Sequence, residues 1–134
     1  MKSKSLFAIL AVAAALAFVA PLQAQERIGQ AAVTQGTNAT TAVTINKPSG
    51  VITTVALTNA AGISTSFTVN NSDVEAGSQV AANVQGYSGT VTTNGIPYAW
   101  VDTVAAGSFV VRVTNLGAAN ALAGTVKIGF RVNN

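Results

Sequence analysis

The chain has 134 residues, with seven basic and four acidic side chains, no histidine and no cysteine. Without histidine and cysteine it lacks the commonest general base, the thiolate nucleophile and the usual zinc ligands, so the composition argues against an enzyme and against a zinc protein. The net charge of +3 comes from scattered residues, which excludes the basic stripe that a nucleic-acid surface needs.

The chain begins with the pattern of a secretory signal peptide. Two lysines precede an apolar run over residues 6–20, and Ala24 supplies a small residue before Gln25. A membrane anchor is the alternative. Because the run has 15 residues and a spanning helix needs roughly 20, we expect residues 1–24 to be a hydrophobic signal helix that is cleaved. Contact with a membrane would be limited to this segment.

Removal of the segment leaves 110 residues, enough for one domain with a single hydrophobic core. We expect residues 25–32 to be a flexible mature N-terminus and residues 33–134 to form the domain. Since the chain has no cysteine, the domain must be held by packing, by backbone pairing or by association with other copies, although export would permit disulfides.

Apolar and polar side chains alternate with period two in the domain, and valine and threonine are abundant. This alternation is typical of half-buried strands, and branched side chains favour a pleated surface. The clearest segments are 41–46, 66–70, 78–84, 107–114 and 124–132. Segment 107–114 is predicted to point Phe109, Val111 and Val113 inward.

Short stretches of glycine, proline and asparagine between these segments predict turns at 48–50, 59–62, 70–73, 94–95 and 105–107. Asn94-Gly95 is the strongest hairpin signal, because both residues tolerate positive φ. Short strands separated by such turns predict an all-β fold, namely an antiparallel β-sandwich of the jelly-roll or immunoglobulin-like kind.

Three aromatic side chains are candidates for partner contact. Tyr98 and Trp100 are two residues apart, so on a strand they share a face, and Tyr87 is the third member. Burial in the core is the expected position for the pair, since aromatic residues are usually core anchors. A platform for a sugar or a protein is the alternative.

The threonine-rich stretch 33–43 is the other candidate contact region. Its residues Thr37, Thr40 and Thr41 suit the solvated face or edge of a sheet. The mature chain carries only nine charged side chains, far below the usual quarter of residues. Because charges normally keep sheet edges apart, the stretch is alternatively a contact with a neighbouring copy.

Several strand and turn segments follow one another in a particular order: Gly29, "VTQ" at 33–35, "VTINKPSGVIT" at 43–53, "FTVNNSDV" at 67–74 and "VAAGSFVVRVTN" at 104–115. In this order they resemble a β-rich domain of structural proteins in the virions of tailed bacteriophages. The resemblance implies capsid decoration, a head fibre or a tail-associated module, without catalytic residues, cofactor or metal. It also implies contact with other virion proteins and with copies of itself, with a trimer as the expected assembly.

The predicted signal peptide departs from that resemblance, because virion proteins assemble in the cytoplasm. An exported cell-surface or filament subunit of a bacterium is therefore the alternative function. The corresponding locations are the virion, or the periplasm and cell surface.

We predict that the mature protein starts at Gln25, since the charged start, the short apolar run and Ala24 together fit signal-peptide cleavage. N-terminal sequencing of protein produced in a Gram-negative host measures this directly. Recovery of an intact Met1 in the membrane fraction would show that the segment is an anchor.

Overall fold

The computed structural model describes residues 31–134, which form eight strands in two four-stranded sheets. These residues contain no helix, so the predicted all-β class is confirmed for them. The predicted signal helix lies outside the described residues. The first strand begins at Ala31, two residues before the predicted start of the domain.

In chain order the strands are β1 (Ala31–Thr34), β2 (Val43–Thr44), β3 (Ser49–Thr53), β4 (Ser64–Asn70), β5 (Gln79–Tyr87), β6 (Pro97–Ala105), β7 (Ser108–Asn115) and β8 (Val126–Asn133). The first sheet has the order β1-β3-β8-β5, and the second has the order β2-β4-β7-β6.

Both sheets are mixed, which corrects the prediction of purely antiparallel pairing. β1 pairs with β3 and β2 pairs with β4 in parallel, while the other four pairs are antiparallel. The cause is the path of the first four strands, which alternate between the two sheets. A chain that crosses to the other sheet and returns runs in its original direction, so its next strand is parallel to the previous one.

One hydrophobic core lies where the two sheets meet. The alternation predicted for β7 and β8 is confirmed, because Phe109, Val111, Ile128 and Phe130 are buried while Arg131 is exposed. The rings of Phe109 and Phe130, which belong to different sheets, lie with their centroids 5.3 Å apart. Burial of apolar surface between β7 and β8 therefore joins the two sheets.

Two predicted turns are present but differ in detail. The chain bends at 47–48, while Gly50 already lies in β3, where a Cβ would overlap the carbonyl oxygen of Ala31 and the ring of Phe130. Gly50 thus allows close packing. Asn94 ends a turn in which its N–H donates to the carbonyl oxygen of Thr90 at 2.7 Å, but this turn belongs to the connection from β5 to β6, which crosses between sheets, so the predicted hairpin is wrong. In contrast, the turn at 105–107 is confirmed as the β6–β7 hairpin, with Gly107 at φ 80°.

We predict that truncating Phe109 or Phe130 to alanine lowers the free energy of unfolding by about 3–5 kcal/mol, because each leaves a cavity between the sheets. Alanine at Lys127 or Arg131, on the outer face of β8, serves as the matched control and should change it by less than about 1 kcal/mol. Urea denaturation measures both. Similar losses at the two sets of positions would contradict the assignment of faces.

Candidate contact surface

Tyr98 and Trp100 lie on the outer face of β6, with 52% and 37% of their surfaces exposed. Burial of this pair in the core, expected from their size, is therefore wrong. Ala99 between them points inward and is only 2% exposed. The pairing with β7 determines this choice of face, because Tyr98 lies opposite Thr114 and Trp100 lies opposite Arg112.

Arg112 connects Trp100 to an acidic neighbour on the same face. Its guanidinium carbon lies 5.6 Å from the centre of the Trp100 ring, within the range of a cation–π contact. Its terminal nitrogen donates a hydrogen bond of 2.6 Å to Asp102. Asp102 is the extra residue of a bulge between Val101 and Thr103, and a bulge redirects a side chain in this way.

We call Tyr98, Trp100, Asp102 and Arg112 the aromatic surface. It has no net charge, because its one cation is paired with its one anion. Hydroxyl groups border it on the neighbouring strands, where the side chains of Ser64 and Thr114 share a hydrogen bond of 2.8 Å. An aromatic centre with a polar border is the usual composition of a protein contact site.

The Nε atom of Arg112 is buried and finds no acceptor within the described part of the chain. A buried donor without an acceptor is unfavourable for the folded state.

Tyr87 belongs to the first sheet and has a structural role. Its hydroxyl accepts a hydrogen bond of 2.8 Å from the backbone N–H of Ala123. Its ring lies against Gly89, where a Cβ would overlap the ring. Tyr87 therefore holds the connection that follows β7 against the one that follows β5.

Thr37, Thr40 and Thr41 lie in the loop from β1 to β2 and not on a sheet face. The side-chain oxygen of Asn38 accepts hydrogen bonds from the Thr40 hydroxyl at 2.8 Å and the Thr41 hydroxyl at 3.1 Å. Asparagine and threonine commonly stabilise turns through such local bonds. These local side-chain hydrogen bonds compete with the backbone pairing of a strand, which explains why the stretch forms a turn despite its high strand propensity.

Gln35 closes that loop, although the sequence pattern did not single it out. Its side chain is 2% exposed and donates to the carbonyl oxygens of Ala39 at 3.1 Å and Thr41 at 2.8 Å. Its side-chain oxygen accepts a hydrogen bond from the backbone N–H of Val55 at 3.3 Å.

The predicted contact residues do not form one site. The threonines border β2 and the aromatic surface lies on β6, and these two strands are the opposite edges of the second sheet.

The outer face of the first sheet carries an open groove of about 660 Å³. Residues of β5 and β8 line it together with Pro48 and Ser49; they are a mixture of small, polar and apolar residues, and Arg131 is the one charged residue. Among residues 31–134, no group of three or more histidine, cysteine or acidic side chains is placed to hold a metal ion. Nor does the described part of the chain include a helix long and apolar enough to cross a membrane.

No family model, curated protein or solved structure matches this chain.

We predict that Trp100→Ala lowers the free energy of unfolding by about 1 kcal/mol or less, because the ring lies on the outer face of β6, so its removal loses the cation–π contact and partial packing there but leaves no cavity between the sheets. Ala99→Leu on the buried face of the same strand should cost more, about 1–3 kcal/mol, through overpacking. Urea denaturation of the two variants compares them. A loss of about 3–5 kcal/mol for Trp100→Ala would instead identify a core tryptophan.

Proposed function

We propose that this chain is a non-enzymatic structural protein of a phage virion, of the capsid-decoration, head-fibre or tail-associated kind. The observation that carries the proposal is the aromatic surface, an exposed group of side chains suited to protein contact. The resemblance of several segments to virion domains indicates the kind of particle. The protein would act by assembly and surface contact.

The chemistry of the aromatic surface favours a protein partner. Tryptophan, tyrosine and arginine are the residue types that contribute most binding energy in protein interfaces. Arg112 is already paired with Asp102, so covering the surface would not leave an unpaired buried charge, which is the costly outcome. Tyr98 and Trp100 would supply most of the apolar contact area.

We infer that the two sheets form a β-sandwich of the jelly-roll kind. In the sequence, β4 and β7 both lie between β3 and β8, and the antiparallel pairs β3–β8 and β4–β7 belong to different sheets. A jelly roll has this arrangement, because successive pairs of one long antiparallel double strand lie in the two sheets in turn. The Phe109–Phe130 contact spans the sheets. A sandwich offers two outer faces and free strand edges for assembly.

Association with copies of itself is part of the proposal, and a trimer is the state that the resemblance implies. The low number of charges supports an assembly, because charged residues are the common protection of exposed sheet edges. The loop that carries Thr37, Thr40 and Thr41 is the surface that the sequence suggests for this contact.

An exported subunit of a bacterial surface or filament is the second candidate. The signal-peptide pattern of residues 1–24 favours it. The same aromatic surface and assembly would then act in the periplasm or at the cell surface.

Mass spectrometry of purified phage particles and of the periplasmic fraction from the same cells tests the location. We predict that the protein is found in the particles and that Trp100→Ala reduces its amount there at least several-fold, because the aromatic surface loses its largest contact. Thr103→Ala, an exposed change on the same strand, is the control.

Recovery only from the periplasm would favour the exported subunit. Unchanged incorporation of Trp100→Ala would show that another surface makes the contact.

A further inference from the structure

The large hydrophobic side chains that are exposed among residues 31–134 are not scattered over the surface. Four are aliphatic and belong to the connections that follow β3, β5 and β7, and the other two belong to the aromatic surface. They are Ile63, Val91, Ile96, Leu116, Tyr98 and Trp100, with exposed fractions of 37–59%. Single exposed hydrophobic residues are normal, whereas a group of them marks a contact site.

The three connections meet at one end of the molecule, which we call the apolar end. They are residues 54–63, 88–96 and 116–125. The backbone N–H of Leu116 donates to the carbonyl oxygen of Ile96 at 2.8 Å, and that of Asn115 donates to the carbonyl oxygen of Ile63 at 3.0 Å. The buried side chain of Asn115 also bonds to backbone groups of all three connections. The aliphatic side chains are thus held in place before a partner binds, which lowers the entropic cost of binding.

The aromatic surface continues directly into the apolar end. Exposure alternates along residues 96–100, where Ile96, Tyr98 and Trp100 are exposed and Ala99 is buried. Ile96 therefore lies on the same face as the two aromatic side chains, since alternate residues of an extended chain share a face. Leu116 pairs with Ile96, so aliphatic side chains extend the aromatic surface to the end of the second sheet.

Charged side chains avoid the apolar end. Its three connections contain none, and the nearest cation in the sequence, Lys127, lies on the outer face of the first sheet. The connections that follow β2 and β4 form the opposite end, where the side chain of Asn71 donates to the carbonyl oxygen of Lys47 at 2.7 Å. Lys47, Asp73 and Glu75 all belong to these connections. The two ends of the described domain therefore differ in polarity.

We propose that the apolar end and the aromatic surface form one binding site for a different protein of the particle, which presents an uncharged, apolar surface to it. This proposal deepens the proposed function, on which it rests, by naming the end through which the domain attaches and the chemistry of its partner. The end that carries Lys47, Asp73 and Glu75 then faces away from the partner.

The absence of charge determines the chemistry of the partner. A charged group of the partner that is buried against the apolar end would find no opposite charge in the three connections, and an unpaired buried charge is costly. An apolar group would instead release water from Ile96, Leu116 and the two aromatic rings, which is favourable. An interface core that is rich in aromatic residues and poor in charge is the usual composition.

A membrane and the N-terminal segment of the chain suit the site less well. Peripheral contact with a membrane normally combines apolar side chains with lysine or arginine, and the three connections contain neither. Residues 25–30 lead into β1, at the edge of the first sheet that is remote from β5. The aromatic surface is on the outer face of the second sheet, so these six residues would have to pass round the sandwich.

A second copy is expected elsewhere on the molecule. The loop that carries Thr37, Thr40 and Thr41 is the proposed contact between copies, and it borders β2. β2 and β6 are the opposite edges of the second sheet. The site is therefore compatible with a trimer, because association through the loop leaves the β6 side of each copy open to a different protein.

Photo-crosslinking in purified particles tests the site. A photo-reactive phenylalanine derivative replaces Ile96 or Leu116, and it keeps the chemistry of the site because it is itself apolar. Ala76, exposed in the connection from β4 to β5, is the matched control position at the opposite end. We expect positions 96 and 116 to be joined to one different virion protein, with a yield at least several-fold higher than from position 76, as measured by mass spectrometry.

A charge substitution provides the second measurement. Leu116→Asp should lower the amount of the protein in the particles at least several-fold, because it places an unpaired charge in the contact. Ala76→Asp introduces the same charge at the opposite end and should leave the amount unchanged. Leu116 is 59% exposed, so both variants should fold, which urea denaturation checks.

The outcomes separate this proposal from the function on which it rests. Adducts of positions 96 and 116 with lipid or with copies of the chain itself, or no adducts, would overturn the apolar end as the site and leave the virion function in place. Unchanged incorporation of Leu116→Asp would do the same. Absence of the natural protein from the particles would overturn the proposed function and this proposal together.

Discussion

The packing of β7 against β8 is the interaction on which the rest of the structure depends. Each is an inner strand of its sheet, and Phe109 and Phe130 meet across the sheets. With no cysteine in the sequence, no disulfide supplements this contact. The inward-facing apolar side chains of β7 and β8 therefore join the two sheets around one core. The edge strands take their positions by pairing, directly or through another strand, with these two inner strands.

Buried amide side chains fix the long connections that helices or disulfides would fix in other small domains. Asn115 is 0% exposed and makes four hydrogen bonds, donating to the carbonyl oxygens of Asn59 and Asn120 and accepting from the N–H groups of Ile96 and Gly117. A fully satisfied buried amide defines one loop arrangement, since each alternative leaves a polar group unpaired.

The inner strands could be predicted from the sequence, whereas for the aromatic surface the sequence predicted only that Tyr98 and Trp100 share a face and did not determine which face. β7 and β8 have one strongly apolar face, so period-two alternation determines which side points inward. β6 reads "PYAWVDTVA", with apolar or aromatic side chains on both faces, so its orientation follows from its register with β7. The Arg112–Asp102 pair depends on a bulge, and the parallel pairing of β1 with β3 depends on the crossing path. Neither the bulge nor the crossing path produces a local pattern in the sequence.

The position of β8 in the first sheet also determines the order in which the domain can form. β8 lies between β3 and β5, both of which precede it by a long stretch of chain, so the first sheet cannot close until β8 is present. The β6–β7 hairpin, by contrast, needs only a tight turn at Gly107. Loop closure is entropically cheaper for the hairpin. A chain that emerges N-terminus first thus keeps β5, and the edge of β3 that does not face β1, unpaired until β8 arrives.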